Sequence, residues 1–171
     1  MKLQKASSQA PPGTREMLLE LGAGERGFSG TSFGRGEVSF EQFLAECVNG
    51  ADPANVPAGR VPQTFLWIID DQARTIGMVR ARHCLNDELL QCGGHIGYYV
   101  IPSQRRKGYA TRALAMAVEF LKALGVNRVL VTASTTNEAS NRVIQRNGGQ
   151  FDGQGRCADN GKIVNRYWIV A

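Results

Sequence analysis

The chain has 171 residues, which fits one domain of ordinary size, and 43% of them are hydrophobic and 20% charged. This composition excludes a disordered tail or a fibre, and no apolar run approaches the roughly 20 residues that a membrane-spanning helix needs. The formal net charge is +5, and its densest positive run is Arg105-Arg106-Lys107. A polyanion, either a nucleic acid or a phosphorylated small molecule, is therefore a candidate partner.

The N-terminus and the cysteines both indicate a cytoplasmic protein. Residues 1–12 contain lysines but lack the apolar stretch that a secretory signal requires. The four cysteines are widely spaced, with no Cys-x-x-Cys pair, and are interpreted as reduced thiols, with Cys84 and Cys92 as small buried side chains. Two histidines without paired cysteines argue against a metal site.

The first third of the chain predicts two helices joined by a glycine-rich segment. The first helix covers residues 15–21, and residues 22–36 form a mobile or substrate-facing loop. Ser39 is placed to cap a second helix that ends at Asn49-Gly50, and residues 51–62, with three prolines, form a connector.

The remainder of the chain alternates predicted strands and helices. A buried strand over 65–69 and a return strand over 75–81 form a hairpin, and a loop over 85–94 leads to a strand over 95–101. A helix over 107–124 with one apolar stripe, a strand over 129–133, a helix over 137–147 and a last strand over 163–170 follow. This order predicts an α/β fold with a mixed sheet, helices on its faces, and right-handed crossovers in the middle.

The segment between Pro102 and the helix near Gly108 carries the clearest chemical signal. Main-chain N–H groups at a helix start are unpaired and lie at the positive end of the helix dipole, so they can hold a phosphate. Gly108 has no side chain to block a close approach, and the adjacent arginines can add charge-assisted hydrogen bonds. The alternative is a solvated basic loop ahead of an ordinary core helix.

Arg105-x-x-Gly108-x-Ala110 resembles the Q/R-x-x-G-x-G/A signature of the GNAT superfamily of acetyl-CoA-dependent N-acetyltransferases. The order of elements around it also resembles that superfamily, and residues 61–151 resemble one of its bacterial subgroups. The resemblance implies a single domain over 1–171, with residues 1–60 on the acceptor side and residues 61–171 as the acetyl-CoA-binding core. It further implies a mixed α+β fold: a twisted, mostly antiparallel sheet with helices on both faces and a splayed parallel strand pair at the cofactor site.

The resemblance also implies which residues bind acetyl-CoA. The strand before the signature would bind the pantetheine arm, the loop and first helical turn would bind the pyrophosphate, with a Thr111 hydroxyl contact, and the helix over 137–147 would lie near the far arm of the cofactor. Asn137 is alternatively only a helix cap. The full set is Tyr99, Val100, Ile101, Arg105, Arg106, Lys107, Gly108, Tyr109, Ala110, Thr111, Asn137, Ser140 and Asn141.

The implied reaction is attack of a primary amine on the thioester, which needs a base and an acid for the leaving thiolate. His95 is the candidate base, because it lies in the strand where related enzymes keep a catalytic glutamate; the alternative is a structural hydrogen bond. The tyrosine that many relatives use as the acid is replaced by Ile144 here. Tyr167, Tyr98 or water would then take that role, and since Tyr98 and Tyr99 are adjacent, we expect at most one of them to face the cleft.

Two other functions fit the sequence. One is an acyl-CoA-binding sensor module without catalysis, which the missing tyrosine favours. The other is a nucleic-acid binder, which the absence of a recognition motif disfavours. The expected partners of the enzyme are a small-molecule or peptide amine and no membrane, and an exposed strand near the C-terminus would allow a homodimer.

Overall fold

The computed structural model describes residues 1–171 and contains nine strands and five α-helices. The elements follow one another as β1 (Lys2–Lys5), α1 (Thr14–Leu21), β2 (Gly24–Glu25), β3 (Phe28–Ser29), α2 (Phe40–Asn49), β4 (Gln63–Ile69), β5 (Thr75–Arg82), α3 (Asp87–Gln91), β6 (Ile96–Val100), α4 (Tyr109–Ala123), β7 (Arg128–Ser134), α5 (Glu138–Arg146), β8 (Gln150–Arg156) and β9 (Ile163–Val170).

The strands form two main sheets that meet at the centre of the molecule. One sheet has the order β1-β4-β5-β6 and the other has the order β7-β9-β8, while β2 and β3 form a small separate hairpin. A single bridge between Gly94 and Val131 and a hydrogen bond from the His95 N–H to the Leu130 carbonyl (2.7 Å) join the two sheets. The α/β class with a mostly antiparallel sheet is confirmed.

Side chains that alternate along β4 and β5 build a core on each face of the first sheet. Ile68 and Val79 pack with the buried stripe of α4, whereas Trp67 and Met78 pack with α1 and α2. Because both faces are covered, β4 is buried along nearly its whole length, which explains its continuous apolar sequence. Helices therefore lie on both faces of the sheet, as expected.

The parallel strand pair expected at the cofactor site does not form a ladder. Every ladder in the structure is antiparallel, and beyond the Gly94–Val131 bridge β6 and β7 share no register. The reason is local: the Leu130 N–H, which could have bonded a neighbouring strand, donates to the His95 ring instead (2.9 Å). The two strands thus diverge, and the edge of β6 stays open.

The structure corrects the interpretation of the cysteines. Cys92 and Cys157 form a disulfide, so these two are not reduced thiols. Their 65-residue separation hides the pair in the sequence, but the end of α3 lies directly against β8 in the fold. Of the two free cysteines, Cys47 is buried and Cys84 is exposed, which contradicts the buried position expected for Cys84.

No helix of the structure combines the length and the apolar character needed to cross a membrane.

Candidate active site

The loop between β6 and α4 contains six consecutive main-chain N–H groups that have no acceptor in the protein, those of residues 106–111. A 3-10 turn over Pro102–Gln104 leads into this loop, and α4 begins at Tyr109. Arg106 and Gly108 have positive φ angles of 63° and 81°, a backbone pattern typical of concave groups of amides that bind anions. The positive end of the α4 dipole lies at the same place, so the loop suits a ligand with several anionic oxygens.

Gly108 leaves the mouth of this loop unobstructed. No atom lies within 4 Å of the position that a Cβ of residue 108 would take, and the φ of 81° is one that other residues adopt only with strain. The Thr111 hydroxyl makes no hydrogen bond within the protein and lines the same cleft. Both features fit the predicted pyrophosphate position.

The side chain of Arg105 is bonded to other residues of the protein. Its guanidinium forms a two-pronged ion pair with Glu25 (2.9 and 2.6 Å), donates from Nε to the Val100 carbonyl (2.9 Å) and lies over the Tyr99 ring. The hydrogen bonds from Arg105 lower the pKa of Glu25, so the pair is fully charged at neutral pH. Arg105 thus ties hairpin β2–β3 to the loop, while the exposed Arg106 remains the guanidinium free to meet a phosphate.

Lys107 is also exposed, and its ammonium donates to the side chain of Gln104 (2.9 Å). Tyr109 and Ala110 form the first turn of α4 and line the cleft together with the residues of the loop. The structure therefore brings the predicted pyrophosphate residues together at one end of a cleft of about 1350 Å³.

The open edge of β6 borders this cleft. Main-chain hydrogen bonds at both ends of the strand, at His95 and Ile101, point to β5. Such bonds recur at every second residue of an antiparallel pair, so Tyr99 also bonds β5, whereas Tyr98 and Val100 turn their peptide groups to the open edge. Of the three residues predicted to follow the pantetheine arm, Val100 is the one that turns to it, and it offers its N–H, because its carbonyl already accepts from Arg105.

The beginning of α5 lies across the cleft from β6. The side chain of Asn137 caps the helix by accepting from the Ser140 N–H (3.2 Å) and donates to the carbonyl of Arg26 in hairpin β2–β3 (2.9 Å). The hairpin is therefore held on both sides, by Arg105 and by Asn137. The glycine-rich segment thus includes an ordered hairpin, β2–β3 over residues 24–29, which we call the strap and which lines the cleft.

Asn141 and Tyr167 are bonded to each other. The Tyr167 hydroxyl donates to the Asn141 Oδ1 (2.8 Å), and the Asn141 amide donates to the carbonyls of Ser134 and Asn137 (2.9 and 2.8 Å). Both residues are buried, at 9% and 3% exposure. The acid role of Tyr167 and the cofactor contact of Asn141 stay predictions, and these hydrogen bonds favour a structural role for both.

Tyr98 and Tyr99 both line the cleft, so the expectation that at most one would do so is wrong. They point to opposite faces of the sheet as expected, but the cleft passes around the edge of β6 and reaches both faces. The Tyr98 hydroxyl contacts the Ser140 carbonyl at 3.4 Å, and the buried Tyr99 hydroxyl has no partner. Burial raises the pKa of each phenol to about 12, so both remain O–H donors at neutral pH.

His95 lies at the junction of the two sheets and is 6% exposed. Its Nδ1 accepts the hydrogen bond from the Leu130 N–H, so the neutral ring carries its proton on Nε2. Burial and then the nearby Arg82 lower its pKa to about 4. The base role stays a prediction, but the lone pair that would accept a proton is already used, which favours the structural alternative.

His83 also makes a hydrogen bond within the protein, between its Nε2 and the hydroxyl of Thr64 (2.9 Å). The structure contains no group of three histidine, cysteine or acidic side chains that could hold a metal ion.

Two residues that the sequence reasoning missed, Arg80 and Arg82, also line the cleft. They alternate with the buried Ala81 near the end of β5 and therefore share the face of Met78. Neither forms a salt bridge. Two arginines at alternating positions in an otherwise buried strand are the signal that could have identified them.

A family model described as an acetyltransferase (GNAT) domain matches residues 38–150. An N-acetyltransferase of Bacillus subtilis named YoaA is 39% identical over 59 residues, which are 34% of this chain and only 33% of that relative. A solved acetyltransferase structure from Acinetobacter baylyi is similar over 99% of this chain and 92% of its own, with 11% identity and a TM-score of 0.65.

The microcin C7 self-immunity acetyltransferase MccE, solved in complex with acetyl-CoA and AMP, is similar over 81% of this chain and 72% of its own, with 19% identity and a TM-score of 0.56. At these identities the two solved structures are evidence for the fold.

Proposed function

This chain belongs to the GNAT acetyltransferase family, and from that premise we propose that it transfers an acetyl group from acetyl-CoA to a primary amine. The observation that carries the proposal is the row of six unpaired N–H groups over residues 106–111. A diphosphate offers several anionic oxygens to such a row, and the open space beside Gly108 lets it approach the main chain.

We propose that other residues around the cleft bind the parts of acetyl-CoA beyond the diphosphate. The open edge of β6 offers the peptide groups of Tyr98 and the N–H of Val100 to an extended arm, as a neighbouring strand would. The exposed Arg106 and Lys107 add positive charge beside the amides. Bound acetyl-CoA would supply the thioester that the amine attacks.

The amine must lose a proton, because a lysine-like amine of pKa near 10.4 is neutral in about one molecule in 2,500 at pH 7. We propose that the amine enters as its neutral fraction, after losing this proton to bulk solvent, and attacks the thioester carbon. The proton that its nitrogen sheds as the C–S bond breaks leaves through water in the open cleft. His95 positions β7 through its bond to Leu130. The alternative assignment, His95 as the base, requires that it give up this hydrogen bond.

We propose Tyr98 as the hydrogen-bond donor for the leaving thiolate. Its hydroxyl lines the cleft, is neutral because its pKa is raised to about 12 by burial, and has only a long contact to Ser140. The hydroxyl of Tyr167 is less suited, because it is committed to Asn141 at 2.8 Å. A thiolate of pKa near 8.5 needs stabilisation more than full protonation, which a phenol can provide.

We also propose a division of labour along the chain. Residues 61–171 supply the amide loop, the open edge of β6 and the start of α5, and residues 1–60 supply the strap that crosses the acceptor side. One exception is β1, which completes the sheet of the C-terminal part by pairing with β4.

The experiment is to measure release of free thiol from acetyl-CoA across a panel of primary amines, with CoA binding measured in parallel. Turnover of at least one amine supports the proposed function. Tight binding of CoA with no turnover of any amine would support the alternative of a sensor module, which the committed hydroxyl of Tyr167 favours. Failure to bind CoA would refute both.

A further inference from the structure

Two arginines in the cleft have no acidic partner. Arg80 and Arg82 lie on the same face of β5, opposite Gly97 and His95 of β6. No carboxylate oxygen lies within salt-bridge distance of either guanidinium. Charged side chains that are taken out of water are normally paired, so two unpaired arginines side by side require an explanation.

Arg80 is held between two aromatic rings and leaves one donor unused. Its guanidinium lies 5.3 Å from the ring centres of both Phe28 and Phe65. Nη1 donates to the Ser29 hydroxyl (3.0 Å) and Nη2 makes long contacts to the carbonyls of Ser29 and Gly30 (3.5 and 3.4 Å). Nε is buried and has no partner. The residue is thus fixed in position with unsatisfied hydrogen-bonding capacity.

Arg82 has more donors available. Its Nη1 donates to the carbonyls of Gly93 and Gly94 (3.3 and 2.9 Å), whereas Nε and Nη2 have no acceptor in the protein. Because Arg82 lines the cleft, these free N–H groups can reach a ligand there. The carbonyl contacts fix the plane of the guanidinium, so the donors are already oriented before a ligand arrives.

The electrostatics of this end of the cleft favour an anion. Burial, with a smaller contribution from neighbouring guanidinium groups such as that of Arg60, lowers the pKa of Arg80 to about 10 and that of Arg82 to about 9. Both arginines still carry their charge at pH 7. Arg60 and Lys162 line the cleft as well. The acidic residues of the cleft, which are Glu25, Glu88 and Asp159, form no salt bridge with either arginine.

This end of the cleft is separate from the amide loop. Arg82 lies beside His95, whereas the amide loop follows the other end of β6, and five residues of strand between them span about 16 Å. A diphosphate held over residues 106–111 would therefore leave the arginines free.

We propose that the acceptor amine carries an anionic oxygen group, a carboxylate or a phosphate, which Arg82 and Arg80 bind at the end of the cleft away from the amide loop. The inference rests on the proposed amine acetyltransferase function and adds the class of acceptor. Charge-assisted bonds from a guanidinium fork to such a group are strong and directional, so the arginines would also orient the amine.

The test compares matched amines in the thiol-release assay: L-amino acids with their carboxamides, and phosphoethanolamine with ethanolamine. We expect at least one anionic amine to exceed its neutral counterpart in kcat/KM by about tenfold or more. A preference for amino acids over their carboxamides identifies a carboxylate as the bound anion, and a preference for phosphoethanolamine over ethanolamine identifies a phosphate. Equal or better turnover of the neutral counterparts would overturn the inference and leave the acetyltransferase function intact.

The variant Arg82→Gln should remove this preference by raising KM for the anionic amine about tenfold or more, while KM for the neutral amine changes less. Glutamine is shorter than arginine and gives up the Nη1 bonds to the carbonyls of Gly93 and Gly94, so the melting temperature of the variant is measured alongside its kinetics. The matched control is Arg128→Gln, which removes an exposed arginine outside the cleft and should change nothing. A preference that survives in Arg82→Gln would refute the assignment.

A binding measurement separates failure of this inference from failure of the proposed function. With CoA at saturation and ionic strength constant, acetate or inorganic phosphate should raise the melting temperature of the wild type and of Arg128→Gln but not of Arg82→Gln. If no amine is turned over, the function fails, and this measurement still decides whether the anion site exists. Equal stabilisation of all three proteins would refute the site.

Discussion

Replacing Gly108 with alanine would separate the binding role of this residue from its backbone role. The φ of 81° is strained for alanine by about 1–2 kcal/mol, which is partly offset because alanine lowers the entropy of the unfolded chain. No protein atom lies within 4 Å of the new methyl group, so no clash adds to this cost. We therefore expect a loss of about 1 kcal/mol in the free energy of unfolding, or about 2–4 °C in melting temperature.

The affinity for CoA should fall far more than the stability. A methyl group at the mouth of the loop would keep the diphosphate from the amides of residues 106–111, and each lost hydrogen bond to a charged group costs about 1.5–3 kcal/mol. Loss of a single bond predicts a 10- to 150-fold increase in Kd. Isothermal titration calorimetry with CoA measures this change.

Gly125 provides the matched control at the other end of the same helix. It has a φ of 88° and, like Gly108, no atom within 4 Å of a built Cβ. Gly125→Ala should therefore lose about the same stability, while its CoA affinity stays that of the wild type, because the C-terminal end of α4 has no free amides. Equal CoA affinity in Gly108→Ala and Gly125→Ala would refute the binding of the diphosphate beside Gly108.

Four further predictions concern individual side chains. His95→Asn keeps an acceptor for the Leu130 N–H, so its kcat and its stability should stay near the wild-type values. His95→Ala lacks this acceptor and should lose about 1–3 kcal/mol in the free energy of unfolding. A hundredfold drop of kcat in His95→Asn would instead establish the base role. Because the folded-state pKa of His95 is lowered from 6.5 to about 4, its neutral ring stabilises the fold fully above pH 6.5 and progressively less as the pH falls toward 4. Chemical denaturation of His95→Asn should show a weaker dependence, which retains the contribution of His83, whose pKa is also lowered by burial. Tyr98→Phe should lower kcat about tenfold with unchanged CoA affinity in calorimetry, and an unchanged kcat would remove its hydroxyl from the mechanism. Thiol titration should find one reactive thiol in the native protein, Cys84, a second on denaturation, Cys47, and four after reduction; four before reduction would contradict the disulfide.

Elements with strong local signals were predictable from the sequence. Ser39 caps α2 as expected, with Gln42 completing a capping box, and the apolar stripe of α4 is buried as its spacing indicates. The hairpin of β4 and β5 likewise follows from two apolar runs around Asp70-Asp71. In each case the residues that determine the structure are neighbours in the chain.

The missed elements depend on distant partners. β1 has the polar sequence Lys2–Lys5 and is a strand because β4, some sixty residues later, offers it an edge. β8 contains two glycines and mostly exposed residues, and only its pairing with β9 makes it a strand. α3 is a five-residue helix capped by Asn86, which is too short for periodicity to reveal.

In the candidate site, too, features set by neighbouring residues were predictable and features set by residues distant in the sequence were not. The amide loop could be predicted, because the spacing from Arg105 to Ala110 and the helix that follows are local features. The hydrogen bonds of His95 and Tyr167 could not, since their ring and hydroxyl bond to Leu130 and Asn141, which lie 35 and 26 residues away. The unpaired state of Arg80 and Arg82 is also a property of the folded surroundings.

The most direct test of the central claim is a crystal structure of the protein with CoA. If the amide loop binds the diphosphate, its oxygens will lie about 2.9 Å from amide nitrogens of residues 106–111, beside the α-carbon of Gly108. A diphosphate bound elsewhere, such as at Arg80 and Arg82, or an amide loop without ligand at saturating CoA, would contradict this claim.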